Sequence, residues 1–226
     1  MKLSDCHNVS DFRKLAKQKL PSPIFHYIDG GADDEVTLRR NTEAFENCDL
    51  IPSVLTDVSN VDLSTTVLGQ KIKFPLFLSP TAMHQMYYHE GETATAKAAE
   101  KLGTFFSLST MATTSIEDVS KVSGGPKMFQ LYIHKDQGLT DNIIERCKTS
   151  GFKAMCLTVD TIVAGNRERD HRTGFTTPPS LTLSSLLSFA MHPEWRFKYL
   201  LGKKFSLANI DHMTNKGTSI EMTIME

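Results

Sequence analysis

The sequence predicts an α/β protein of the TIM-type (β/α)8 barrel class, of which this chain supplies an N-terminal accessory region and about the first four βα units. Three observations predict it. From residue 74 onward, short apolar runs alternate with segments of helical period, the rhythm of right-handed βαβ crossovers, with strands expected to be buried on both faces of a parallel sheet. Each run ends at its C-terminal tip in small or polar residues: Ser79, Pro80 and Thr81, then Ser109 and Thr110, then Gln130 and Tyr132, then Thr158 and Asp160. A barrel gathers such tips around one mouth. The competing open, doubly wound sheet of a nucleotide-binding fold would carry a G-x-G-x-x-G turn after its first strand, and none is present.

The elements follow in order. "SDFRKLAKQKLP" (10 to 21) predicts a capped helix stopped by Pro21, and "ADDEVTLRRNTEAF" (32 to 45) a second helix with acids in its first turn. "VDLSTTVLGQKIKF" (61 to 74) predicts a hairpin turning at Leu68, Gly69 and Gln70. "FPLFLSP" (74 to 80) is too brief for a helix and predicts the first barrel strand; "GETATAKAAEKLG" (91 to 103) is an alanine-rich helix closing on Gly103. "TFFSLST" (104 to 110) is the second strand, and "SIEDVSKV" (115 to 122) opens a helix with a capping box of Ser115 and Asp118. "KMFQLY" (127 to 132) is the third strand. "DQGLTDNIIERCKTSG" (136 to 151) places Leu139, Ile143, Ile144 and Cys147 on one helical stripe, and "AMCLTVD" (154 to 160) is the fourth strand.

Three segments result: 1–73, helices and a hairpin that cap the barrel; 74–170, the first half of the barrel; and 171–226, an excursion and a shortened end. A whole barrel needs about 250 residues. The chain is therefore expected to be a partial product whose sheet keeps two unpaired edges.

Composition excludes several classes. Lys plus Arg (25) nearly balances Asp plus Glu (26), so no global field favours nucleic acid. Cys6, Cys48, Cys147 and Cys156 are scattered without a C-x-x-C pair, which points to no metal site, no disulfide framework and a reducing compartment. Neither a signal sequence nor a run of about 20 apolar residues is present, so a cytoplasmic protein is expected. Segment 181–204 sets Leu186, Leu187, Phe189 and Trp195 beside Arg196, Lys198, Lys203 and Lys204. That composition suits peripheral contact with the inner face of a membrane, the alternative being a surface helix packed on the body.

The motifs "FHYIDGGADDEVTLRRN", "SPTAM", "LSTMATTSIEDV", "FQLYIHKD" and "LTVDTIVAGNRERD", in this order and at these spacings, resemble the FMN-dependent 2-hydroxy acid oxidoreductases, most of all the flavin-type L-lactate dehydrogenases. The resemblance runs from about residue 10 to about residue 220. It implies FMN as cofactor, a small L-2-hydroxy acid (L-lactate first) as substrate, oxygen, a quinone or a cytochrome as electron acceptor, and a homo-oligomer. It implies that Pro80, Thr81 and Ala82 lie along the flavin, that Ser109, Gln130 and Thr158 bond the edge of its ring, and that Tyr27 and Tyr132 reach the substrate. It further implies that Arg167, in a charged loop closing over the site, meets the substrate carboxylate and that Asp160 orients a catalytic histidine. Met111 stands where the family tunes substrate size. Taken singly, Gln130 reads as a satisfied core amide, Asp160 as a loop cap, Tyr132 as a core aromatic and Arg167 as part of a solvated ion-pair run; five motifs in register favour the site.

One part of that constellation is missing from the sequence. The family's base histidine stands in a Ser-Asn-His-Gly context, and none of the eight histidines has it. The resemblance therefore also admits a catalytically inactive fragment, or an interaction module with exposed sheet edges.

Overall fold

The computed structural model describes residues 1–160, 163–176, 179–202 and 204–210; the predicted shortened end, 211–226, lies outside them. In chain order the elements are α1 (Val9–Lys19), α2 (Ser22–Asp29), α3 (Val36–Glu46), β1 (Thr65–Val67), β2 (Gln70–Ile72), α4 (Glu92–Leu102), β3 (Phe106–Ser109), α5 (Ile116–Val122), β4 (Lys127–Leu131), α6 (Gln137–Thr149), β5 (Ala154–Leu157), α7 (Glu168–Thr173), α8 (Leu183–Ala190) and α9 (Pro193–Leu201). The described residues fall into two compact units, one within 1–58 and 163–201 and the other within 59–160 and 202–210.

The second unit holds the strand and helix repeat. β3, β4 and β5 form a parallel sheet in that order, in register from Phe106 opposite Lys127 and from Met128 opposite Ala154. Phe106, Leu108, Phe129, Ile116, Val119 and Ile143 form its core, none more than 1% exposed, so α5 and α6 bury their apolar stripes against the sheet. Ser115 caps α5 by accepting the amide of Asp118, and Gly103 ends α4 in the left-handed conformation at φ 71°. The β1–β2 hairpin turns through Leu68 and Gly69, both at positive φ (50° and 71°), with Val67 opposite Gln70. Two such residues make the turn whose twist matches the flanking strands.

Several expectations are corrected. Segment 74–80 makes only an isolated parallel bridge, Leu78 to Phe106, instead of a ladder; Pro75 and Pro80 have no amide hydrogen to donate to one. β5 is not buried on both faces: Met155 is 38% and Leu157 49% exposed, because β5 pairs with β4 on one side only among the described strands. The cap of α1 is Asn8, not Ser10, and α3 starts four residues later than expected because Asp33 and Glu35 take positive φ and hold "ADDE" as a turn. The charged run at 167–170 is the start of α7, not a loop: Arg167 and Asp170, three residues apart, pair across the first turn.

Among the described residues, the regular elements of the first unit are helices. α2 packs against α7 and α8, burying Ile24 and Phe25 with Leu15 and Leu20. Segment 181–204 forms the pair α8 and α9, joined by a short turn, and leaves Leu183, Leu186, Leu187, Met191, Phe197 and Leu200 exposed. Among the described residues no helix is long and apolar enough to cross a membrane.

Candidate functional site

Three of the six residues expected to touch the cofactor form one row. At the tip of β4, the Gln130 side chain is 5% exposed. Its Oε1 accepts the Ser109 hydroxyl and the Thr110 amide, each at 3.2 Å, and its Nε2 donates to Thr158 Oγ1 at 2.7 Å. Ser109 Oγ in turn accepts the amide of Met111 at 3.1 Å. The register that sets Ser109 opposite Gln130 thus places a hydroxyl, an amide and a hydroxyl side by side across three neighbouring chain segments. Met111, at the substrate-size position, is 7% exposed and belongs to the core.

Pro80, Thr81 and Ala82 follow the Leu78 bridge. Ala82 packs against the core, and Thr81 is exposed with its hydroxyl against His84 Nε2. The His84 Nδ1 atom meets Thr95 Oγ1 at 3.1 Å. Burial pushes the His84 imidazole below its ordinary value, against the opposing pull of Glu92, so the ring is neutral at pH 7 and has one nitrogen to donate and one to accept. Tyr132 is half-buried against the core, its amide bonded to Thr110 Oγ1 at 3.2 Å, and Asp160 is exposed beyond the end of β5.

The other two expected residues lie in the first unit and meet there. The Arg167 guanidinium stands over the Tyr27 ring at 4.9 Å, within cation–π range, and donates to the Tyr27 carbonyl oxygen and, at 3.4 Å, to that of Gly30. Its Nε donates to Asp170 Oδ2 at 2.6 Å. Asp170 is 7% exposed, and its second oxygen is buried with no partner among the described residues. Beside them Asp29 binds Arg13 and Arg169, and Arg169 also binds Glu35. The Arg13 hydrogen bond holds the Asp29 carboxyl below its usual value, with burial opposing and Arg169 assisting.

Residues 16–224 match the profile of the FMN-dependent dehydrogenases. The chain belongs to that family. Its relatives include glycolate oxidase 1 of Oryza sativa subsp. indica, 44% identical over 183 residues that are 81% of this chain and 50% of the relative. An L-lactate oxidase of Nostoc sp. is 46% identical over 187 residues, 81% of this chain and 51% of that one. Among solved structures, the monotopic membrane protein (S)-mandelate dehydrogenase superposes with a TM-score of 0.87 at 33% identity, covering 97% of this chain and 58% of that one. The chain thus spans about half the length of the curated relatives it matches. Its parallel strand and helix units are those of an FMN-dependent dehydrogenase barrel, a family of oxidoreductases whose cofactor is FMN.

The donor set fits that cofactor. An isoalloxazine edge alternates acceptors with an N–H, and the row offers groups of both kinds: the second Gln130 N–H, the Thr158 hydroxyl and the Ser109 oxygen. Glu92 was missed in the sequence. It opens α4 and looks like an ordinary first-turn acid, yet it is 1% exposed and accepts four hydrogen bonds. Thr113 and Thr114 followed the β3 tip in the sequence as its possible donors, but only the fold brings the three together.

Proposed function

We propose that the chain supplies the flavin-edge and part of the substrate-facing residues of an FMN-dependent enzyme that oxidises an L-2-hydroxy acid, L-lactate first, to the 2-oxo acid. The carrying observation is the Ser109–Gln130–Thr158 row, a buried and already bonded donor and acceptor set at strand tips. FMN, when bound, supplies the acceptor for the hydride leaving the substrate carbon. Pro80, Thr81 and Ala82 flank it. Arg167 takes the substrate carboxylate through its free N–H groups, with Tyr27 beside it, and Tyr132 offers a hydroxyl to the substrate. Asp160, a carboxylate beyond the end of β5, is the orienter of the family's base histidine, whose Ser-Asn-His-Gly context none of the eight histidines here has. In this reading residues 1–73 cap the barrel, 74–170 form its first half and 171–226 are an excursion.

Oxygen, a quinone or a cytochrome takes the electrons, in a homo-oligomer. The exposed apolar side chains of α8 and α9 and the likeness to a monotopic mandelate dehydrogenase support peripheral membrane contact through 181–204, from the cytoplasmic side. Sedimentation with anionic phospholipid vesicles tests it: protein left in the supernatant sinks the membrane contact alone.

A second reading, a non-catalytic interaction module, is favoured by the exposed β5 edge. One experiment separates the two. The protein is mixed with FMN, freed of excess and examined by visible absorbance, then assayed with L-lactate, glycolate and (S)-mandelate. Retained flavin supports the enzyme reading, and turnover by the chain alone would show in addition that the missing base histidine is dispensable. A colourless protein that captures another chain supports the module.

A further inference from the structure

Glu92 has a cost that its position does not explain. A first-turn acid is stabilised by the helix dipole while fully solvated, whereas a buried carboxylate is tolerated only when its oxygens are fully bonded, and an apolar residue there is often more stable. The Glu92 carboxylate is 1% exposed and spends both oxygens on two other segments. Its Oε1 accepts the His84 amide at 3.1 Å and the Thr113 amide at 3.0 Å; its Oε2 accepts the hydroxyls of Thr113 at 2.8 Å and Thr114 at 2.7 Å. Thr113 Oγ1 also accepts the Gln85 amide at 3.2 Å, and the Met83 amide bonds the Met111 carbonyl at 3.1 Å. One carboxylate therefore ties the 81–86 segment to the residues after β3, which carries Ser109. From the His84 it holds, the imidazole reaches back to the Thr81 hydroxyl.

We infer that Glu92 is a positioning residue, fixing segment 81–86 so that Thr81 and Ala82 stand ready beside the flavin-edge row before any cofactor arrives. This rests on the FMN reading above. The geometry makes reach, not charge, the working property. In Glu92→Gln the amide oxygen keeps both backbone donors and the amide nitrogen donates to the two hydroxyls, which turn to accept. In Glu92→Asp the charge remains but the side chain is one methylene short of bridging both segments.

Amide hydrogen exchange of the full chain without FMN, and FMN affinity from quenching of flavin fluorescence, test this together. Expected are slow exchange at His84 and Thr113 in the unsubstituted chain and in Glu92→Gln. Glu92→Asp should keep its far-UV spectrum, exchange faster at one of these amides and bind FMN roughly tenfold more weakly, the scale of losing an outer partner of a ligating group. Equal affinity for the unsubstituted chain and Glu92→Asp overturns the proposal, as does weakening confined to Glu92→Gln, which would make charge the working property. Should Glu92→Asp not fold, fast exchange at both amides in the unsubstituted chain overturns it without any variant. An unsubstituted chain that takes up no FMN instead sinks the cofactor reading, while exchange still reports whether Glu92 holds the segment.

Discussion

The Ser109–Gln130–Thr158 row and the Arg167 cluster hold polar side chains in place by opposite means. Ser109, Gln130 and Thr158 are neutral, and sheet register fixes them; Arg167, Arg169 and Asp29, half-buried, and Asp170, buried, are charged and held in ion pairs. A neutral buried row has little to gain from water and much to lose from a missing partner. Ion pairs near the surface are screened by salt and individually replaceable. The difference teaches that the first is rigid by construction and the second adjustable.

The sharpest way to break the comparison is Gln130→Leu. It strands the Ser109 hydroxyl and removes the donor to Thr158 Oγ1, while the Thr110 amide keeps the backbone carbonyl of residue 130, and urea unfolding should show a loss of about 1–3 kcal/mol together with loss of FMN uptake. A loss no larger than that of a surface substitution would mean that water reaches the row. Asp170→Asn is next: Arg167 loses its charged partner, at an expected cost of about 1–2 kcal/mol, and the cost should shrink in high salt. A salt-independent cost would put Asp170 in the same class as Gln130.

Titration gives the third effect. His26 and His84 are held below their ordinary value of 6.5, in both cases chiefly by burial. A folded-state pKa below the unfolded one means that stability is full above 6.5 and is lost as pH falls through the folded values, because the unfolded chain binds the proton first. Asp29, held below 3.8, adds its own loss only under more acidic conditions. A stability curve flat down to pH 4 would contradict the burial of both histidines. Smallest is Arg13→Gln. Arg13 is an exposed partner of Asp29, which keeps Arg169, so thermal unfolding should move by no more than about 0.5 kcal/mol.

Much of this was legible in the sequence because it is encoded locally. The stripe of Leu139, Ile143 and Cys147, the Ser115 cap, the Gly103 stop and the Leu68–Gly69 turn each depend on neighbours within a few positions. The polar strand tips were legible as well, since an apolar run ending in Gln130 or Thr158 is conspicuous. Glu92 was not, because its four donors come from segments 8 to 22 residues away and burial at a helix start leaves no local mark. The ladder expected at 74–80 failed for a reason that was present, two prolines, but apolar content outweighed them. The Arg167–Asp170 pairing was also readable at i,i+3 spacing, and a cluster of charges simply looked like a loop.

Trp195 is the chain's one tryptophan. It stacks on Tyr199 at 4.8 Å between ring centres and leans on Phe189 at 5.4 Å, all three within α8 and α9. Nature has thereby put a single optical label on the helical pair with the exposed leucines, and intrinsic emission at the indole band reports on the surroundings of that pair. An event that wets or separates these two helices changes that emission without an added dye, while the flavin uptake proposed at the strand tips is read independently in its own band.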